Sequence, residues 1–279
     1  MKKKDLLLAL IGKLQKKGIV SRRAIVKCLF LLKKEYQIDS LMKFYSFYPY
    51  QQGLFSQVCY ADLRALKQEG LVDEEETQLT AIGIEKLGEF DEDTGQTLDK
   101  LLDRFDSEEQ ITEYVYERYP EYTIKSKLVK RSVKGNAGSG FYTIGYEQKD
   151  IDSFMDVLIQ NGIDVLVDVR KNPFSMNFAF MQKKLMGYLA GVDIDYLHIP
   201  ELGVASEDRK NLDSKEDYEK LFLTYRESLP ERAEHLDRVM EEGMSRRIAL
   251  MCFEKDPAFC HRREIAGHIR EHGHMVADL

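Results

Sequence analysis

From Phe141 to the end of the chain, short apolar runs alternate with amphipathic stretches, and this alternation constrains the fold more than any other feature. "FYTIGY", "IDVLVDVR", "IDYLHIP", "RRIALMCF" and "HMVADL" have the length and the branched or aromatic content of strands. Between them, "DIDSFMDVLIQNG", "MQKKLMGYLAG", "KEDYEKLFLTYRESLPERAEHLDRVMEEG" and "CHRREIAGHIREHG" repeat apolar residues at helical spacing, the third broken near Pro230. The second strand is apolar almost throughout, as a strand covered on both faces must be. Such alternation builds a parallel sheet between layers of helices. The expected fold class is α/β, with a Rossmann-like, mostly parallel sheet flanked by helices.

The front of the chain reads differently. "DLLLALIGKLQKKG", "SRRAIVKCLFLLKKEY" and "SQVCYADLRALKQEG" are amphipathic, and Ser21 and Ser56 stand where helix N-caps belong. "LVDEEETQLTAIGIEKL" then reads as a strand, an acidic turn, a short strand and a last helix. Helices followed by a two-stranded wing make a winged helix-turn-helix module, expected over residues 1–88. Residues 89–137 are expected to be an acidic helical linker: Pro120 ends one helix, and "GNAGSG" marks a boundary. The α/β domain then occupies residues 138–279.

Charge divides along the same line. The chain carries a net −7, which argues against a uniformly basic nucleic-acid binder. Residues 1–70 hold 14 Lys/Arg and five Asp/Glu, a balance of +9, so the remainder carries −16. A basic front on an acidic body points to a separate module with an anionic partner. DNA is the expected partner, met by the helix Ser56–Glu69 with Arg64 and Lys67 outward. The opening "MKKKDLLLALIGKL" is interrupted by Asp5 and Lys13, so it reads as an amphipathic helix and not as a signal peptide. No apolar run reaches the length of about 18 residues that a membrane span needs, so no membrane partner is expected. Four cysteines in a chain this long make no disulfide framework, and a cytoplasmic location is expected. A homodimer is left open.

Two segments resemble known families. "FYPYQQGLFS", Phe47 to Ser56, resembles the entry to a helix in winged-helix modules that accompany bacterial antitoxin and phage-defence proteins, with Leu54 where that pattern has proline. "TIGYEQKDIDSFMDVLIQNGIDVLVDVRKNPFS", "IDYLHIPELG" and "LMCFEKDPAFCHRREIA" are similar to the domain-of-unknown-function family 488 over roughly Phe141 to Leu279. Gly145, Asp168, Arg170, Pro173, Ser175, Leu202, Gly203, Cys252, Glu254, Cys260, His261 and Arg262 carry that family's residue types, whereas "FSMNFAF" lacks the arginine that relatives place after the serine. The resemblance implies an α/β domain with a shared polar rim. It implies no reaction.

In open parallel sheets, ligands bind beyond the carboxyl ends of the strands. Here those ends carry Asp168 and Arg170, then Ser175; Glu201; and Glu254, followed by Cys260, His261 and Arg262 at a helix start. Cys252, Cys260 and His261 make an incomplete ligand set at unusual spacing, and neighbours in sequence seldom bind one ion, so no metal and no other cofactor is expected. A helix N-terminus and nearby cations favour a thiolate, which makes Cys260 the candidate nucleophile and Cys252 a packing residue. Asp168 or Glu254 is the candidate general base. Arg170, Ser175, Glu201, His261 and Arg262 are candidate contacts to phosphate or substrate. The expected activity, if the domain is an enzyme, is hydrolase- or glycosylase-like, on a nucleotide or modified base. The alternative is a non-catalytic sensor of the same ligand, or an interaction scaffold.

Overall fold

The computed structural model describes residues 2–87, 92–127, 138–205, 207–209, 212 and 214–279. The chain divides into two compact units, Met1–Arg131 and Ser132–Leu279. Among the described residues no helix is long and apolar enough to cross a membrane.

The first unit is built from helices α1 (Lys3–Lys16), α2 (Arg22–Tyr36), α3 (Gln57–Gln68), α4 (Ala81–Lys86), α5 (Glu92–Leu102) and α6 (Glu108–Arg118). Ser21 caps α2 by accepting from the Arg23 and Ala24 amides, and Ser56 caps α3 by accepting from Cys59. The segment expected as a linker is packed. Leu98, Leu101 and Leu102 of α5 and Ile111 and Val115 of α6 lie in one core with Leu7, Leu10, Ile25 and Leu29. Apolar residues at helical spacing outweigh the acidic composition once a partner helix is there to cover them.

Strands also fall differently from the expectation. Tyr48–Tyr50 (β1) and Gly53–Phe55 (β2) form an antiparallel hairpin before α3. The expected wing is reduced to the single bridge Val72–Leu79, because Asp73 folds its carboxylate onto the Thr77 and Gln78 amides and closes a tight acidic turn. The basic excess of the front is met within the unit. Residues 71–131 hold 17 Asp/Glu and eight Lys/Arg, a balance of −9, so the unit is neutral. Lys3 pairs with Asp62, Lys13 with Asp99, Arg23 with Glu108 and Lys67 with Glu74.

The second unit carries five strands: β3 (Gly140–Gly145), β4 (Val165–Asp168), β5 (Asp195–His198), β6 (Arg247–Cys252) and β7 (Val276–Asp278). They form one parallel sheet in the order β5-β4-β6-β3-β7. Helices α7 (Ile151–Gln160), α8 (Gln182–Ala190), α9 (Lys215–Ser228), α10 (Ala233–Ser245) and α11 (Arg262–Glu271) connect them. The strand late in sequence, β6, lies centrally between β4 and β3. Register places Asp168 beside Met251 and Gly145 beside Cys252, so three carboxyl ends share one rim. Two glycines let the rim close. A Cβ on Gly145 would stand 1.9 Å from the Glu254 carbonyl oxygen, and one on Gly203 would stand 2.1 Å from the Lys171 amide nitrogen.

Candidate functional site

Two polar clusters occupy the rim. The first forms where β4 ends. Asp168 is fully buried and Arg170 nearly so. Arg170 Nε donates to Asp168 Oδ1 at 2.8 Å and Nη2 donates to Oδ2 at 2.6 Å, while the Arg170 amide also donates to Oδ1. Tyr196 on β5 donates to Asp168 Oδ2 at 2.6 Å. The remaining guanidinium donors reach Tyr146 Oη and the Phe180 carbonyl. Tyr146 stacks on Phe180 at 4.3 Å between centroids, which seals the arrangement. Burial opposes the charge on Arg170, but the Asp168 carboxylate holds its pKa above the ordinary value. Burial, and then the Asp168 charge, push the Tyr196 hydroxyl up.

This geometry corrects two expectations. A free general base needs an accessible lone pair, and the Asp168 oxygens are taken by Arg170 and Tyr196. A phosphate contact needs accessible donors, and those of Arg170 point to Asp168, Tyr146 and the Phe180 carbonyl. Asp168 and Arg170 make a buried brace that fixes the exit from β4.

The second cluster forms where β6 ends. Cys252, Cys260 and His261 are all buried. Each sulfur lies 3.9 Å from His261 Nδ1, and the three ligand-type atoms all lie within 4.8 Å of one another. His261 Nε2 is 3.0 Å from the Val169 carbonyl oxygen. A carbonyl only accepts, so Nε2 carries the proton and Nδ1 is left as an acceptor within reach of both sulfurs and of Arg209. Glu254 Oε2 lies 3.2 Å from Cys252 Sγ. Arg209 bridges the group, with Nη1 donating to Glu254 Oε1 at 2.7 Å and Nη2 donating to His261 Nδ1 at 2.9 Å.

The two thiols are not equivalent. A hydrogen bond from Cys260, helped by His261 and Arg209, lowers the pKa of Cys252 well below its usual value. Burial, and then the neighbouring Cys252, push Cys260 well above it. The lowered pKa thus falls on Cys252 and the raised one on Cys260, the reverse of the expected order. Burial, followed by the Cys252 charge, raises the Glu254 carboxyl. Glu254 and Cys252 thus compete for one negative charge while Arg209 compensates it.

His261 and Arg262 were expected to hold phosphate. Both are fully buried. His261 is spent on Val169 and Arg209, and the Arg262 guanidinium donates to the Glu254 and Lys255 carbonyls. Arg262 therefore pins the loop after β6 to the start of α11. Ser175 is also buried and accepts from the Asn177 amide, inside its own loop. Glu201 is exposed, on the 3-10 turn that follows β5.

Beside these clusters lies a cavity of about 590 Å³, lined by Lys171, Gly203, Asp208, Asp217, Lys220, Tyr225 and Arg232 among others. Tyr225 joins it to the thiol cluster. Its ring meets His261 edge-on at 5.4 Å, and its hydroxyl donates to the Leu202 carbonyl.

The family model described as "Domain of unknown function DUF488" matches residues 150–269. Its segment contains β4, β5 and β6, the second cluster, and every residue of the cavity. Searches of the curated proteins and of the solved structures gave no match.

Among the cluster residues, Arg209 carries no sequence signal, since it sits in a polar loop away from any strand end. Tyr146 and Tyr196 read as core or rim aromatics, and only the register places their hydroxyls on Arg170 and Asp168. The set Cys252, Cys260 and His261 is the one that could hold a metal ion among the described residues.

Proposed function

We propose that the DUF488 region binds a small phosphorylated, nucleotide-like molecule in the rim cavity and acts on it by acid–base chemistry from Glu254. The cavity carries the reading: it lies beyond the carboxyl ends of a parallel sheet and has a volume typical of small-molecule sites. Lys171, Lys220 and Arg232 line it, and none forms an ion pair among the described residues. Unpaired cations in a concave site suit an anion. Asp208 on the same wall suits the polar remainder of a ligand better than a bare phosphate, while the Asp217 carboxylate caps α9 by accepting from Ser214.

Glu254 is the carboxylate left for proton transfer once Asp168 is committed to its brace. Burial, and then the Cys252 charge, raise its pKa above the ordinary carboxyl value, the direction a proton donor needs. Asp208 lines the cavity and the next residue, Arg209, donates to Glu254, which connects the cavity wall to the acid along the chain. A hydrolase- or glycosylase-like reaction is the class that fits.

Titration calorimetry of the full chain with nucleoside monophosphates and the matching nucleosides tests the reading. The phosphorylated ligand should bind more tightly, and the double substitution Lys171→Ala/Lys220→Ala should remove the difference. Glu254→Gln should keep binding and abolish turnover. Equal binding of nucleoside and nucleotide, or no binding of either at millimolar concentration, defeats the proposal.

DNA binding by the first unit has weaker support. Ser56 caps α3 and Arg64 stands exposed on it, as a reading helix requires. Against this, Lys67 is held by Glu74, and the unit as a whole is neutral. Phosphate contacts dominate DNA affinity, and a neutral unit has few cations to spare for them.

A further inference from the structure

We propose that Cys252, Cys260 and His261 form a binding site for one divalent, thiophilic metal ion of the zinc type, whose open fourth position lies beside Glu254 and Arg209. The inference goes beyond the cavity reading, whose cations take no part in it.

Distances come first. Around a tetrahedral zinc, bond lengths of about 2.3 Å to sulfur and about 2.0–2.1 Å to nitrogen put sulfur and nitrogen roughly 3.6 Å apart. Both sulfurs here lie 3.9 Å from His261 Nδ1, within a few tenths of an ångström of that span. All three ligand atoms lie within 4.8 Å of one another, so the set is close enough to converge on one ion.

Orientation agrees. A metal-binding histidine donates its other ring N–H to a fixed acceptor, which sets the tautomer and aims the free lone pair. His261 does this through Nε2 to the Val169 carbonyl, at the end of the neighbouring strand β4. The objection that adjacent residues seldom share an ion is answered by the backbone. Cys260 is extended (φ −132, ψ 135) and His261 is helical (φ −58, ψ −19), so the chain turns between them. That turn brings Cys260 Sγ and His261 Nδ1 to the same point.

Charge completes the case. Two sulfurs, a bare imidazole nitrogen and a carboxylate offer acceptors to one buried spot, and such a spot needs a cation. Arg209 provides one here, with its guanidinium on Nδ1 and Glu254 Oε1. Its side chain is about one-third exposed and belongs to a loop, so it can withdraw without disturbing the core. A dication on two thiolates and a neutral imidazole is balanced, whereas a guanidinium cannot be coordinated by sulfur at all. Arg209 and the ion are therefore competitors for the same atoms.

The test uses the reduced, metal-stripped full chain and cobalt(II) as the probe. Cobalt should give a thiolate-to-metal charge-transfer band that saturates at one ion per chain. Cys252→Ser and Cys260→Ser should each abolish it. The joint substitution Cys28→Ala/Cys59→Ala, in the other unit, should leave it. Because serine at a buried site can unfold a domain, Arg209→Ala supplies the independent arm. Its removal should tighten cobalt binding several-fold, the opposite of what general damage does. Absence of the band in the unaltered chain, a band that survives Cys252→Ser, or an affinity unchanged or weakened by Arg209→Ala would overturn the site.

Discussion

The ends of β4 and β6 lie side by side in the sheet, yet their polar clusters are built on opposite principles. At Asp168 and Arg170, donors match acceptors: a bidentate pair, two tyrosine hydroxyls and a backbone carbonyl leave both carboxylate oxygens occupied. At Cys252, Glu254, Cys260 and His261, acceptors outnumber strong donors, and one arginine serves two of them. A matched network is finished and rigid. A network rich in acceptors is held in readiness for a proton or a cation, and its pKa values are spread accordingly. Both clusters are buried and both contain arginine and a carboxylate, so residue type alone does not separate brace from site.

The largest effect should come from breaking the matched cluster. Asp168→Ala leaves the Arg170 guanidinium buried without its counter-charge, which typically costs about 3–5 kcal/mol. The joint change Asp168→Leu/Arg170→Met removes both charges and should recover a large part of that loss. Urea unfolding followed by far-UV dichroism measures both. Should Asp168→Ala prove nearly neutral, the pair is not a brace, and the contrast between the clusters collapses.

A buried cation without a matching carboxylate shows what matching is worth. Lys27 on α2 is buried and forms no ion pair among the described residues, and its ammonium stands 5.7 Å from the centre of the Tyr116 ring. Burial, and then Arg23, lower its pKa from 10.5 to about 8. The unfolded chain keeps that proton up to the ordinary value, so between about pH 8 and 10.5 the unfolded state binds more protons. Stability therefore rises with pH across that window, by roughly 3 kcal/mol at most. Lys27→Met should abolish the rise. Measured as the difference between the two proteins at each pH, a flat profile would show that the ammonium reaches solvent.

Much of this architecture is legible in the sequence, and its limits are physical. The five strands of the α/β domain and the break near Pro230 follow from apolar runs and proline chemistry. Placement of Asp168 and Cys252 at strand ends follows equally. Strand order does not, because nothing local says that β6 inserts between β4 and β3. Without that order, Asp168 and Glu254 look like one site, and the occupation of Asp168 by Tyr196 is invisible. The hairpin Tyr48–Phe55 hides behind Pro49 and two glutamines, which read as a loop. In α5 the acids read as part of a linker, and only the covering helices reveal that its leucines are buried. Arg209 is the extreme case, since its role arises from a contact 45 residues away in sequence, with Glu254.

The smallest and most discriminating effect concerns the two thiols of the acceptor-rich cluster. Both are buried, so alkylation with a small reagent in the presence of chelator should be slow for each. The rate of each follows its thiolate fraction once the site opens. Cys252 is lowered by Cys260, His261 and Arg209, so it should label first at neutral pH, with a rate that changes little as pH rises. Cys260, raised by burial and by Cys252, should label later and accelerate with each step in pH. Cys28, which burial pushes up to about 12, is an internal standard for a thiol that opens without activation. If Cys260 labels before Cys252, the lowered thiol is the one at the helix start, and the helix terminus outweighs the histidine and arginine. If both match Cys28, the cluster has no activated sulfur, and its acceptors serve a metal ion or nothing beyond packing.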